Sequence, residues 1–203
     1  MKEKRFQISL NIFIAVLSFL LGIGASYIFQ IRSERIQRIS LAKLIRATVT
    51  NDLHYTISTT VGIRNQIMKK KFTYTPTTFN LIYSPTVTLP SGDNLGSLEP
   101  SIVNALDEYR RRIIACEKQR SEYLNILEGN LDNYIEMALL TYYISLDSVV
   151  CTGINLLSEL DKKYPERNSS FHDFDDYIRA EENVKELIGI VDEVISEKRM
   201  KNK

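Results

Sequence analysis

Residues 6–31 read FQISLNIFIAVLSFLLGIGASYIFQI, and none of these 26 consecutive residues carries a charge. A helix rises about 1.5 Å per residue, so this apolar segment would be roughly 39 Å long. The hydrocarbon core of a bilayer is about 30 Å thick, and the segment can therefore cross it with some tilt. The sequence predicts a transmembrane helix over residues 8–31, preceded by an N-terminal tail, residues 1–7.

A cleaved signal peptide is the alternative interpretation of the apolar segment. Lys2, Lys4 and Arg5 would form its basic start, and the small residues within 22–26 would precede the cleavage site. Signal peptides, however, have an apolar region of only about 7–15 residues. Here the region is longer and continues past that site to Ile31, which favours an uncleaved single-pass anchor.

Basic residues flank the apolar segment on both sides and indicate its orientation. Three precede it, and five follow it between residues 32 and 46, namely Arg32, Arg35, Arg38, Lys43 and Arg46. Because the flank richer in Lys and Arg tends to stay in the cytoplasm, we predict a single-pass protein of the cell membrane with the bulk of the chain cytoplasmic.

One side of the predicted membrane helix carries small and polar residues. They recur at steps of three and four and are Asn11, Ala15, Ser18, Gly22 and Ser26. Small side chains let two helices approach closely in lipid, and an amide can hydrogen-bond to a second copy. The pattern is a hypothesis for self-association, although Gly and Ser are also common in membrane helices.

Beyond the anchor, residues 32–203 show helical periodicity and few Gly or Pro residues. Apolar residues at steps of three and four predict helices over about 32–70, 98–128, 131–163 and 172–200. No such helix can bury its apolar stripe alone. The predicted fold is therefore all-α, a single transmembrane helix followed by an antiparallel four-helix bundle with coiled-coil-like packing.

Two segments connect the predicted helices 32–70, 98–128 and 131–163. Residues 71–97 form one long Pro-containing crossover, interpreted either as a recognition loop or as an ordered segment that caps the bundle. Ser97 is predicted to be the N-cap of the next helix. Gly129 is predicted to end that helix in a left-handed conformation; the alternative is one continuous helix across 98–163.

Charge and cysteine content exclude several classes of function. The chain has 26 basic and 25 acidic residues, so no strong net field indicates a nucleic-acid partner. Two cysteines, Cys116 and Cys151, are too few for a disulfide scaffold. If the chain turns back at Gly129, Cys116 lies level with Tyr143, about 12 Å from Cys151 along the helix axis, too far for a disulfide.

No catalytic or cofactor motif is present, so we predict neither an enzyme nor a cofactor or metal site. His54 and His172 are far apart and lack acidic or thiol neighbours at ligand spacing. Three acids, Glu128, Asp132 and Glu136, recur at steps of four, which is typical of a solvated helix face.

Asp147 is the one acid inside the most apolar part of the chain beyond the anchor, LLTYYISLDSVVCTGINLL. A carboxylate facing the bundle interior requires a cation or hydrogen-bond donors, and Arg112 is a candidate partner at a similar level. The pair is interpreted either as a buried ion pair that fixes helix register or as the polar floor of a ligand pocket.

These observations predict a membrane-anchored helical interaction or scaffold protein without catalytic activity. Its predicted partners are the lipid bilayer and either another protein or a second copy of this chain. The alternative is a membrane-tethered sensor domain that binds a small ligand between its helices, similar in plan only to the four-helix sensor modules of bacterial chemoreceptors.

Overall fold

The computed structural model describes residues 2–70, 72, 93–129, 134–165 and 181–201. Within these ranges the chain is helical and contains no β-strand. It forms α1 (Lys2–Met68), α2 (Pro100–Glu128), α3 (Ile135–Lys163) and α4 (Glu181–Lys201), with a short 3₁₀ helix, Asp93–Ser97, before α2. The all-α prediction is confirmed. The chain divides into two units, Met1–Leu41 and Ala42–Lys203, and the second is called the body below.

Helix α1 joins the predicted membrane helix and the predicted helix 32–70 into one element of 67 residues. It contains no proline, and no glycine lies between Gly24 and Gly62. The β-branched stretch 56–61 remains helical despite its low intrinsic propensity. In that stretch Thr56 and Thr60 are buried, and each hydroxyl donates to the carbonyl four residues earlier, at 2.8 and 2.7 Å.

The buried face of α1 in the body winds around the helix. Ile45, Val49 and Leu53 are fully buried, but Val61 is 44% exposed. Each step of four residues advances about 40° beyond a full turn, and four such steps from Ile45 carry Val61 to the far side of the helix. The buried face is continued instead by Thr56, Thr60, Ile63 and Ile67.

The helix ends differ in detail from the sequence predictions. Glu99, not Ser97, is the N-cap of α2, because Pro100 occupies the first helical position, where its missing N–H costs nothing. Gly129 ends α2 with a right-handed φ of −78°, and its N–H still bonds the Asn125 carbonyl at 3.0 Å. The predicted left-handed conformation is therefore wrong, because Gly129 completes the last turn of the helix.

The described helices also show how residues 98–163 are divided. Helix α2 ends at Glu128 and α3 begins at Ile135, so this part of the chain is not one continuous helix. Residues 131–133, residues 172–180 and most of the crossover 71–97 lie outside the described residues. Within the crossover, Phe72 is buried.

The core of the body lies where α1, α2 and α3 meet. Gly153 of α3 marks this point: a Cβ placed there would lie 2.7 Å from Leu53 Cδ2 and 2.9 Å from Tyr109 Cε2. A larger residue at this position would force the side chains of Leu53 and Tyr109 to shift. The largest fully buried side chains around it include Tyr109, Tyr123, Tyr142, Tyr143, Ile45, Leu53, Ile102, Leu106 and Leu146.

Candidate functional site

The first unit carries a long exposed apolar surface. From Phe13 to Ile31 of α1, large apolar side chains are 46–74% exposed. They are Phe13, Ile14, Val16, Leu17, Phe19, Leu20, Leu21, Ile23, Tyr27, Ile28, Phe29 and Ile31. Such a continuous exposed apolar surface marks a site of interaction with membrane or protein.

The predicted self-association face lies within this surface. Ser18, Gly22 and Ser26 are exposed, and a Cβ at Gly22 would meet no atom within 4 Å. The side chains of Asn11 and Ala15 lie outside the described part of the chain. Pairing of two copies through these five residues stays a prediction.

Two of the described helices are long and apolar enough to cross a membrane, which indicates membrane association. One is α1 from Val16 onward, and the most apolar window of that stretch has none of its residues buried in the protein. The other is α3, where half of the corresponding window is buried. The most apolar window of α1 is therefore the one that the protein leaves uncovered.

Asp147 and Arg112, the candidate polar pair, occupy different surroundings. Arg112 is exposed, and its Nε donates to Glu108 Oε1 at 2.7 Å, one helical turn away. Asp147 is half-buried. Burial raises the pKa of the neighbouring Tyr143; Asp147 raises it further, while Arg64 of α1 lowers it. The pairing of Asp147 with Arg112 stays a prediction.

Cys116 lies buried between α2 and α3. Burial raises the pKa of its thiol to about 11, while the adjacent Ser145 side chain of α3 acts in the opposite direction, so the unreactive thiol form dominates at neutral pH. The predicted level of Cys116, close to Tyr143 on the following helix, is confirmed by this contact. Cys116 and Cys151 are not joined in a disulfide, and Cys151 is exposed, as expected from their predicted separation.

Two tyrosines adjoin Cys116 and fill the same part of the core. The rings of Tyr123 and Tyr142 stack at a centroid distance of 6.1 Å. Burial raises the pKa of Tyr142. Nearby, Arg120 makes a bidentate pair with Glu117, at 2.6 and 2.9 Å. The side chains around Cys116 are thus packed or paired with one another, which is an arrangement typical of a structural core.

A polar cluster at the end of α3 joins three distant parts of the chain. Arg46 Nη2 donates to Asp161 Oδ1 and to the Tyr164 carbonyl, both at 2.7 Å. The Tyr164 hydroxyl donates to Glu99 Oε2 at 2.7 Å. The Arg46 side chain is only 11% exposed, so this charged group is shielded from water. The sequence pattern did not identify this cluster, because its members are separated by up to 118 positions.

Glu136 corrects the interpretation of the three spaced acids as a solvated face. It is 1% exposed and forms an ion pair with Lys198 of α4. A second ion pair, Lys70 with Glu193 at 2.9 Å, links the end of α1 to α4. Asp132 lies outside the described residues. The only sequence signal for a buried Glu136 was its position among apolar residues at the start of α3.

No reactive constellation is found in the described part of the chain. No group of three or more His, Cys, Asp and Glu residues there could hold a metal ion. One open depression is lined by Asn104, Asp107, Arg110 and Arg111, all on α2, and Arg110 is paired with Asp107. A depression on one helix face is unlike the enclosed, largely apolar clefts that bind small molecules.

The chain matches no protein-family model, no curated protein and no solved structure.

Proposed function

We propose that this chain is a single-pass membrane protein whose helical body serves as a non-catalytic interaction or scaffold module. The apolar segment lies in the bilayer, and the body lies on the cytoplasmic side because the richer basic flank follows the segment. The observation that carries the proposal is the uncovered apolar surface from Phe13 to Ile31. Only lipid or another apolar surface can shield that much exposed hydrocarbon from water.

A single span is supported by the contacts of α3. Val149, Leu156 and Leu160 of this helix are fully buried in the body, and Arg46 bonds Asp161 at its end. Moving α3 into lipid would remove these contacts and would expose Asp147 and Asp161 to hydrocarbon, where carboxylates are strongly disfavoured. The apolar character of α3 is accounted for by its position at the centre of the body.

We further propose that the body is an antiparallel four-helix bundle with coiled-coil-like packing. Contacts between α1 and α3 support an antiparallel arrangement of these two helices. Residues further along α1 contact residues that come earlier in α3. In order along α1, the pairs are Arg46 with Asp161, Leu53 with Gly153 and Arg64 with Tyr143. Contacts of α2 with α3 follow the same trend and are Tyr109 with Gly153, Cys116 with Ser145 and Tyr123 with Tyr142.

The interaction role is supported by what the polar groups of the body do. Arg46, Glu136 and Cys116 are each engaged in contacts between helices, and such contacts stabilise a scaffold. The partner is another protein or a second copy held by the membrane helix. Crosslinking in native membranes followed by purification under denaturing conditions would recover that partner, and recovery of only uncrosslinked monomer would contradict this part of the proposal.

A sensor that binds a small ligand is the second candidate. It is favoured by one observation, the half-buried Asp147 beside Tyr143, a residue whose pKa is also affected by Arg64 of α1. A ligand at this place would contact α1 and α3 together and stabilise the body against heat. Substituting Asp147→Asn would abolish that stabilisation, whereas the scaffold function would not require a ligand.

Membrane extraction tests the anchor directly. The variant Leu17→Arg/Leu21→Arg places two charges in the apolar segment, at a cost of about 5–7 kcal/mol for insertion. We expect wild type to resist alkaline carbonate and the variant to enter the soluble fraction. Ile36→Arg/Ile39→Arg is the matched control, because these residues lie beyond the segment. Extraction of wild type itself would overturn the proposal.

Native Cys151 reports the side of the membrane on which the body lies. Its side chain is exposed whereas Cys116 is buried. A membrane-impermeant maleimide should therefore fail to label intact cells and should label Cys151 after the cells are opened. Cys151→Ser is the control for background labelling, and labelling of intact cells would place the body outside.

A further inference from the structure

A basic stripe directly follows the apolar segment on α1. Between residues 32 and 51 the chain has five basic residues and one acid, Glu34. Three of these five basic residues, Arg32, Arg35 and Arg38, lie in the first unit, and all three are exposed. At about 100° per residue they span an arc of roughly 120°, so they share one side of the helix.

Glu34 neutralises this stripe only partly. It accepts a hydrogen bond from Gln30 Nε2 at 3.1 Å, and its distance to Arg38 Nη2 is 3.9 Å. The Arg38 side chain remains 44% exposed. An exposed ion pair of this length is weak. Arg38 can therefore bind a stronger anion in place of the Glu34 carboxylate.

The position of the stripe along α1 matches the headgroup layer of a bilayer. Arg32, Arg35 and Arg38 follow Ile31 by about 1.5, 6 and 10.5 Å along the helix axis. The headgroup layer on each side of the hydrocarbon core is roughly 5–7 Å thick, and arginine side chains extend further through their flexible stems. Arg46, by contrast, is bonded to Asp161 within the body.

We propose that Arg32, Arg35 and Arg38 form a binding surface for the phosphate groups of anionic phospholipids in the leaflet facing the body. This inference rests on the proposed membrane anchor. The guanidinium fork matches two phosphate oxygens, and basic residues next to a membrane helix attract anionic lipid. The surface selects the lipids that surround the anchor.

The lipid shell of the full-length protein tests this proposal. The protein is reconstituted into phosphatidylcholine vesicles containing a minor fraction of phosphatidylglycerol, and electron paramagnetic resonance of spin-labelled lipids measures which lipid is enriched around it. We expect several-fold enrichment of phosphatidylglycerol around wild type. Arg32→Gln/Arg35→Gln/Arg38→Gln should remove it, because each arginine contributes up to about fivefold. High salt should also weaken it.

A matched control makes the same charge change elsewhere. Arg110→Gln/Arg111→Gln/Arg112→Gln removes three exposed or half-exposed arginines of α2 and should keep the wild-type enrichment. Equal enrichment in wild type and the stripe variant, or equal loss in both variants, would overturn the inference. Carbonate extraction of the same samples separates the two proposals: if wild type is extracted, the anchor fails, whereas a retained protein with an unselective lipid shell contradicts only the lipid-binding surface.

Discussion

The first part of α1 and the whole of α3 are both apolar enough to span a membrane, yet their surroundings differ. None of the most apolar window of α1 from Val16 onward is buried, whereas half of that of α3 is. Composition alone therefore does not distinguish a membrane anchor from the central helix of a bundle. The two helices differ in how much of their apolar surface is covered by other parts of the chain.

The distribution of polar residues explains this difference. In α3 the buried residues Leu139, Leu146, Val149 and Leu156 recur at helical spacing, while Thr141 on the outer side is exposed. A helix with one apolar side packs against neighbours in water. The stretch from Phe13 to Ile31 carries no charge on any side, and its large apolar side chains are exposed, which is typical of a helix surrounded by lipid or by protein.

The largest expected effect compares the same substitution in the two helices. Leu146 is fully buried and Leu20 is 58% exposed. Leu146→Ala should lower the free energy of unfolding of the body by about 2–5 kcal/mol, through lost burial and a residual cavity. Leu20→Ala should change it by less than about 0.5 kcal/mol. Denaturation in mild detergent, followed by near-UV circular dichroism of the tyrosines, measures both; equal losses would contradict the division into covered and uncovered helices.

The second comparison concerns the part of α1 that α3 covers. Arg46→Ala removes the bonds to Asp161 and to the Tyr164 carbonyl and should cost about 2 kcal/mol, because shielded polar groups lose their partner. Arg112→Ala is the control: its side chain is 50% exposed, and a change within about 0.5 kcal/mol is expected. The same denaturation assay measures both variants. If Arg46→Ala leaves the free energy of unfolding unchanged, the polar cluster does not stabilise the packing of α1.

The third comparison substitutes two glycines, and its expected effect on stability is smaller. Gly153→Ala places a methyl group 2.7 Å from Leu53 and 2.9 Å from Tyr109, and overpacking should outweigh the gain in helix propensity by about 1–2 kcal/mol. Gly189→Ala meets nothing within 4 Å and should stabilise α4 by up to about 1 kcal/mol. Thermal melting of the two variants should move in opposite directions; stabilisation by Gly153→Ala would contradict the tight contact.

The last comparison uses the two thiols at neutral and alkaline pH. Maleimide should label exposed Cys151 and spare buried Cys116 in the folded protein. The pKa of Cys116 is raised from 9.0 to about 11, so the unfolded chain ionises first as pH rises. The free energy of unfolding should therefore fall between about pH 9 and 11. In Cys116→Ala this part of the decline should be smaller, and an unchanged pH profile would exclude Cys116 as its source.

Much of the helical plan could be predicted from the sequence. The uncharged run 6–31 predicts the apolar helix because length and absence of charge are local properties. The interruption near Gly129 and the level of Cys116 beside Ser145 follow from helical spacing and from the position of one glycine. These features depend on residues that are neighbours in the sequence or on the position of a single turn. The spacing of residues along the chain predicts both.

Other features could not be predicted because they depend on contacts between distant residues. The burial of Glu136 depends on Lys198, which lies on another helix. Arg46 resembles the other basic residues after the anchor, but Asp161 gives it a structural role. The sequence also did not indicate that Leu53 and Tyr109 both lie against Gly153.

The bonds of Arg46 to residues 115 and 118 positions later also bear on the order of folding. During synthesis α1 leaves the ribosome long before Asp161 and Tyr164 exist. Contacts between α2 and α3 span shorter stretches of chain, and such contacts close with less loss of entropy. We therefore expect the α2–α3 pair to form first and α1 to dock onto it last. Until then, the apolar side of α1 in the body remains exposed to chaperones and to aggregation.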